Sequence, residues 1–396
     1  MNKWQRVKYQ PNLPLGEKGH RVTACKEHRE LSKEAAKEGM VLLKNEKNVL
    51  PLEKGAKVAL FGKGSFDYVK GGGGSGDVTV EYIVNLYEGM KALKDRVSVF
   101  EELSDFYRSN VVHQYAAGKE PGLTVEPALE VDLVKKARAY TDTAIITISR
   151  FSGEGWDRTT TIDVENESAF SWEAEESKKA KVLFEKGDFY LSDAENAMVE
   201  TVKRNFDKII VVMNVGGMVD TQWFKDSEEI QSVLMAWQGG MEGGNAMAEL
   251  LCGIGNPSGK LVDTFAKQLE DYPSSYNFHE SSKYVDYTDD IYVGYRYFET
   301  VKKAREKVNY PFGFGLSYTD FDCVTRNIRI EKDLVKMEIK VTNTGDLPGK
   351  EVVQVYGSAP QGLLGKPLRT LIAFKKTGLL KSGEIQRLNI SFPLKA

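Results

Sequence analysis

Two short stretches of this sequence have residue types and spacing that could do chemistry. The first is residues 71–76, Gly-Gly-Gly-Gly-Ser-Gly. Four glycines in a row add no side chain to a core and cost backbone entropy, so they call for close approach of the backbone to something else. Gly71, Gly73 and Gly76 formally fit the Gly-x-Gly-x-x-Gly spacing of dinucleotide sites. However, the apolar run 57–61 ends ten residues earlier, and that fingerprint belongs at the immediate strand-to-helix turn. No Gly-Lys-Ser/Thr ending occurs there, so the stretch is not a phosphate loop. A structural loop, a nucleotide loop and a loop facing some other polar ligand all stay open.

The second stretch is residues 149–158, SRFSGEGWDR, directly after the apolar run 143–148. In a parallel α/β sheet, loops beyond the carboxyl ends of the strands are where ligands bind. Glu154 sits between Gly153 and Gly155, which predicts a mobile backbone and little side-chain cover around its carboxyl group. Trp156 offers a flat apolar platform of the kind that suits a sugar ring, and Asp157 with Arg158 could fix the loop locally. An ordinary exposed acidic loop explains the same residues equally well. A single carboxylate is not a mechanism, since acid/base hydrolysis needs two.

The other glycine-rich stretches, 237–244 and 255–259, read as punctuation of two strand-to-helix turns. The Tyr- and Asp-rich run 284–297 reads as a packed linker between domains, and 311–317 as a rigid connector. Four histidines and three scattered cysteines, Cys25, Cys252 and Cys323, make neither a Ser-His-Asp set nor a zinc site. No metal and no cofactor is expected. Unpaired, widely spaced thiols suggest a reducing, cytoplasmic setting.

The elements that must position these loops follow from composition and periodicity. The chain has 396 residues, enough for two or three domains, with 41% hydrophobic and 28% charged residues, as in globular proteins. A net charge of -3 provides no basic field for nucleic acid or an anionic membrane surface. No apolar stretch approaches the length of a spanning helix.

Residues 1–29 read as an N-terminal arm. From Leu31 the spacing of Ala35, Ala36, Met40 and Leu43 predicts a helix, with Ser32 as its N-cap. Six apolar runs (57–61, 97–101, 143–148, 209–215, 232–237 and 261–265) then alternate with amphipathic segments at 81–94, 131–140, 192–206 and 244–252. That alternation predicts a six-stranded, mostly parallel α/β sandwich over residues 30–272. Residues 273–320 contain no clear helical pattern and read as a linker. Over 321–396 alternating strands with Gly and Pro turns predict an antiparallel β-sandwich, in which about five of the roughly seven strands of a fibronectin type III fold can be placed.

Several motifs in order give the sequence a resemblance to glycoside hydrolase family 3, the β-glucosidase type. They are EAAKEGMVLLKN at 34–45, GGGGSG at 71–76, SGEGWDR at 152–158, GNPSGKL at 255–261, YPFGFGLSYT at 310–319 and VTNTGDLPGKEVVQVY at 341–356. The resemblance implies an α/β sandwich domain followed by a fibronectin type III-like domain. It implies Glu154 as the general acid/base and Ser75 as a contact to the sugar, while Trp156 matches a variable position and its platform role is inferred from its chemistry alone. It also implies that the nucleophilic Asp and most sugar-binding residues belong to a (β/α)8 barrel, of which this sequence contains nothing. Met1 lies about thirty residues ahead of the α/β region, which fits the subset of the family whose barrel follows the fibronectin-like domain.

The expected protein is therefore the acid/base-bearing portion of a retaining β-glucosidase, with a β-glucoside or oligosaccharide as substrate. Its barrel would come from a C-terminal portion or a second polypeptide, and self-association into a homo-oligomer stays open. The alternative is a non-catalytic carbohydrate-binding or scaffold protein. The segment 159–186, rich in Glu and Ser, reads as a solvated surface excursion.

Overall fold

A computed structural model describes residue 19 and residues 24–153, 182–277, 281 and 283–394. The chain opens with helix α1 (Lys26–Gly39) and an edge strand β1 (Val41–Asn45). It continues through β2 (Ala56–Phe61), α2 (Leu86–Ala92), β3 (Val97–Val99), α3 (Glu101–Ala116), α4 (Val131–Tyr140) and β4 (Thr143–Arg150). Helix α5 (Asp193–Asn205), β5 (Lys208–Val215), β6 (Ile230–Met235) and α6 (Gly243–Leu251) complete the first unit.

The six strands form one sheet in the order β1-β6-β5-β4-β2-β3, parallel except for β1. Strands β4, β5 and β6 are apolar on both faces because helices cover both. Ala59, Ile146, Val211 and Val233 point toward α3, α4 and α5, while Leu60, Ile145, Val212 and Leu234 point toward α2 and α6. Helix α5 begins at a capping box: Glu195 N–H donates to Ser192 Oγ at 3.2 Å, and Ser192 N–H donates to Glu195 Oε2 at 2.9 Å.

The sheet corrects several expectations. Helix α1 starts at Lys26 after Cys25, with Ser32 inside it, and ends before Met40. Met40 and Leu43 satisfy helical spacing, yet Leu43 lies in β1, where 41–44 are buried in succession against β6. The sixth strand is therefore β1. The run 261–265 contributes only Phe265 to a two-residue strand, β7 (Phe265–Ala266), which pairs outside the main sheet with β8 (Val308–Tyr310). The sixteen-residue α3 was not among the expected helices, although Leu103, Tyr107 and Val111 recur at four-residue spacing and are buried. The linker region carries a short helix, α7 (Tyr295–Thr300). Ahead of it the expected packing is lacking: Tyr284 and Tyr287 are exposed.

The second unit contains β9 (Phe321–Glu331), β10 (Leu334–Asn343), β11 (Val352–Gly357), β12 (Thr370–Lys376) and β13 (Ile385–Pro393), in antiparallel sheets ordered β13-β10-β9 and β11-β12. Its core is Ile339, Val341, Val353, Leu380, Leu388 and Ile390. The units meet through Glu38, which pairs with Lys350 and Lys376, and through Lys260 and Glu351 at 2.9 Å, while Tyr295 of the connecting region packs edge-on against Tyr356. No helix among the described residues is long and apolar enough to cross a membrane.

Candidate functional site

Strand order locates the crevice. From β2 the chain moves to β3 at one edge, whereas from β4 it moves through β5 to β6 in the opposite direction. Neighbouring strands β2 and β4 thus form the topological switch point, and the loops leaving their carboxyl ends diverge to opposite faces. Those loops are the two that the sequence singles out.

The loops touch. Gly73 N–H donates to Ser152 O at 3.2 Å. A Cβ on Gly153 would lie 2.2 Å from Gly73 N, and one on Gly73 would lie 2.7 Å from the Phe151 ring. Gly153 is therefore required for backbone contact. Ser75 contributes its backbone to the single 3₁₀ turn Gly74–Gly76, and its side chain lies outside the described structure. Glu154, Trp156 and the excursion up to residue 181 lie outside the described residues. The stretch 255–259 proves to be the exit from α6, whereas 237–244 does lead from β6 into it.

Buried charges hold both loops. In the first, Asp67 Oδ1 accepts from Tyr115 Oη and Gly122 N–H at 2.7 Å each, and Oδ2 accepts from Lys63 Nζ at 3.0 Å and Thr124 Oγ1 at 2.5 Å. Burial alone would raise the Asp67 carboxyl, but the Lys63 ammonium and these hydrogen bonds outweigh it and keep it below the usual range. Lys63 N–H donates to Glu126 Oε2 at 2.8 Å. The other Glu126 oxygen and the Tyr107 hydroxyl are buried side by side without a well-formed hydrogen bond. Burial pushes the Glu126 carboxyl up to about 7.

Behind the second loop, Arg150 donates through Nη1 and Nη2 to the two oxygens of Glu195, both at 2.6 Å. Its Nε reaches Asp188 O at 3.0 Å, and its guanidinium lies 4.3 Å over the Phe184 ring. Burial would raise Glu195 too, but Arg150 holds it below the usual range. One carboxylate thus caps α5 and anchors the end of β4.

A third clamp is Asn214 near the end of β5. Its Oδ1 accepts from Val69 N–H at 2.7 Å, and its Nδ2 donates to Val69 O at 2.9 Å and Trp237 O at 2.7 Å. Trp237 is in the left-handed region at φ 55°, a conformation that costs a non-glycine residue roughly 1–2 kcal/mol. Lys63, Asp67, Arg150, Glu195 and Asn214 were not found by sequence reasoning. Their available signals were polar residues at the ends of apolar strands and the Ser192-x-x-Glu195 box.

Among the described residues no three His, Cys, Asp or Glu side chains gather to hold a metal. The chemistry this arrangement can offer is backbone polar groups from a glycine loop beside a loop that runs directly into a carboxylate.

Comparison with known proteins agrees with that picture. The chain is 58% identical to Beta-glucosidase A of Butyrivibrio fibrisolvens over 99% of its own length and 49% of the relative's. It is 39% identical to a Beta-glucosidase of Ruminococcus albus over 92% of its length and 36% of the relative's. The chain thus spans half or less of these relatives. Among solved structures, a beta-glucosidase from Paenibacillus barengoltzii superposes with a TM-score of 0.83 at 39% identity, covering 94% of this chain and 39% of that one. Beta-glucosidase 3B from Thermotoga neapolitana in complex with glucose superposes with a TM-score of 0.80 at 34% identity, covering 95% and 50%. Residues 351–396 match a fibronectin type III-like domain. Residues 40–318 match the glycosyl hydrolase family 3 C-terminal domain, and with that extent of agreement the chain belongs to glycosyl hydrolase family 3.

Proposed function

We propose that this chain is the acid/base-bearing portion of a retaining β-glucosidase that releases terminal β-linked glucose. The observation that carries the reading is the hydrogen bond from Gly73 to Ser152, which joins the glycine loop to the loop continuing into Glu154 at the switch point. The glucose complex of the Thermotoga neapolitana relative supports the sugar class.

In this reading Glu154, protonated, donates to the glycosidic oxygen while an aspartate from a (β/α)8 barrel attacks the anomeric carbon. Glu154 then removes a proton from the water that hydrolyses the glycosyl-enzyme. The two carboxyl groups stand about 5–5.5 Å apart, as retention requires. Ser75 and the loop backbone contact the sugar, and Trp156 supplies a flat face. The barrel comes from a further portion of the same polypeptide or from a partner chain.

The test is complementation. The chain is mixed with the half of the Butyrivibrio fibrisolvens relative that it does not match, and hydrolysis of cellobiose and of an activated aryl glucoside is followed. Activity is expected in the mixture and in neither part alone. Glu154→Gln should slow cellobiose turnover far more than that of the aryl glucoside, which needs little help from an acid. An equal loss on both substrates argues against the acid role, and an inactive mixture argues against the whole reading.

A further inference from the structure

One buried polar atom beside the crevice is left without a hydrogen-bond partner among the described residues. Gln238 follows β6 by three residues and is partly covered, yet its Nε2 is buried and donates to nothing among the described residues. Its place is defined by its neighbours. A Cβ built on Gly216, just after β5, would fall 2.6 Å from Gln238 Nε2 and 2.4 Å from Ser152 Cβ. Gly216 itself is exposed. The amide therefore lies just beneath the crevice surface over the carboxyl ends of β4, β5 and β6, beside the residue that bonds to Gly73.

The backbone is bent to put it there. Trp237 is held at φ 55° while Asn214 Nδ2 grips its carbonyl oxygen. With that bend the Trp237 ring turns toward Phe265 and the apolar groove of about 470 Å³ between the two units, which Leu261, Phe312 and Phe374 also line. Gln238 turns the other way, toward Gly216 and Ser152. A strained residue and an unsatisfied buried donor at adjacent positions are two independent departures from the most stable arrangement, and such departures concentrate where a ligand completes the structure.

We propose that Gln238 is a specificity-determining residue of the crevice, its side-chain amide donating to a hydroxyl oxygen of the bound carbohydrate from the β5–β6 side. The glycine loop acts from the β2 side. A neutral amide suits a neutral hydroxyl, and a polyhydroxylated ring presents acceptors to both walls at once. The assignment rests on the carbohydrate reading above, but it concerns a residue which that reading does not use.

The test uses the whole chain, labelled with ¹⁵N and titrated with glucose and with cellobiose. In the wild type, signals of the Gly71–Gly76 backbone amides and of the Gln238 side-chain amide should shift together. Gln238→Leu should weaken sugar binding about tenfold, and its melting temperature should hold or rise because the orphan donor is gone. Gln238→Glu keeps the shape but exchanges donor for acceptor, and it should weaken binding as well. Two results overturn the proposal and leave the carbohydrate reading standing. One is shifted glycine-loop amides with both variants binding like the wild type. The other is a melting temperature that falls together with affinity in both variants, which would make the amide structural. If neither sugar shifts any signal in the wild type, the Gln238 role fails, and the complementation assay decides the carbohydrate reading separately.

Discussion

The two units hold their strands by different means. In the α/β unit the central strands are buried on both faces, and at their carboxyl ends Lys63, Asp67, Glu126, Arg150 and Glu195 are buried too. In the fibronectin-like unit the described core is six apolar side chains, β9 is exposed along nearly its whole length, and charged groups such as Arg329, Glu331 and Lys336 pair at the surface. A buried ion pair adds little stability beyond apolar packing, but removing one partner leaves a charge stranded in low dielectric. Buried charge is thus a poor way to stabilise a sheet and an effective way to fix a loop. It is found where β2 and β4 release the two loops of the crevice.

The largest expected effect tests that contrast at its strongest point. Glu195→Gln leaves the Arg150 guanidinium buried without its carboxylate and should cost about 3–5 kcal/mol in urea unfolding. A loss below about 1 kcal/mol, the range of an exposed pair, would mean that the pair does not anchor the end of β4.

In the other unit Leu388→Ala opens a cavity in a small core and should cost about 3 kcal/mol. Hydrogen exchange should speed up in β10 and β13 and stay unchanged in β4 and β5. Equal loss of protection in both units would show that they unfold as one and erase the distinction.

Protonation sharpens the comparison next. Glu126 titrates in the folded state near 7, above its unfolded value. Between about pH 4.5 and 7 the native state therefore keeps a proton that the unfolded chain has released, and stability falls as pH rises through that window. The fall should be on the order of 2–3 kcal/mol, and unfolding of Glu126→Gln at pH 5 and pH 8 should show it reduced. Asp67 and Glu195, held low, have the opposite sign. Their contribution is present above the ordinary carboxylate range and disappears as pH falls through their folded values. The smallest effect belongs to the joint between the units. Glu38→Ala removes part-exposed pairs with Lys350 and Lys376 and should cost about 1 kcal/mol or less, with the difference shrinking in high salt.

Much of the α/β unit was legible in the sequence because its strands and helices carry strong local signals. Runs such as 143–148 and 209–215 can only be buried strands between turn signals, and α4 and α5 follow their apolar stripes. Three features were not legible for identifiable reasons. Strand β1 hides in a helical spacing because four consecutive buried residues satisfy either period. Helix α3 has one narrow buried stripe on an otherwise polar surface. The polar clamps of the site are each made between residues far apart in the chain, such as Asn214 with Val69 and Arg150 with Glu195.

What the sequence alone determined is the class of the protein: apolar runs alternating with helices, then alternating strands, with a glycine loop and a Gly-Glu-Gly loop set in a family's order of motifs. Only the tertiary structure decided that β1 completes the sheet, that β2 and β4 form the switch point, and that Gly73 and Ser152 meet there beside Gln238. The reason is physical. Periodicity reports how one segment is buried, whereas strand order, loop contact and the pairing of buried charges depend on groups that share no local sequence and meet only when the sheet closes.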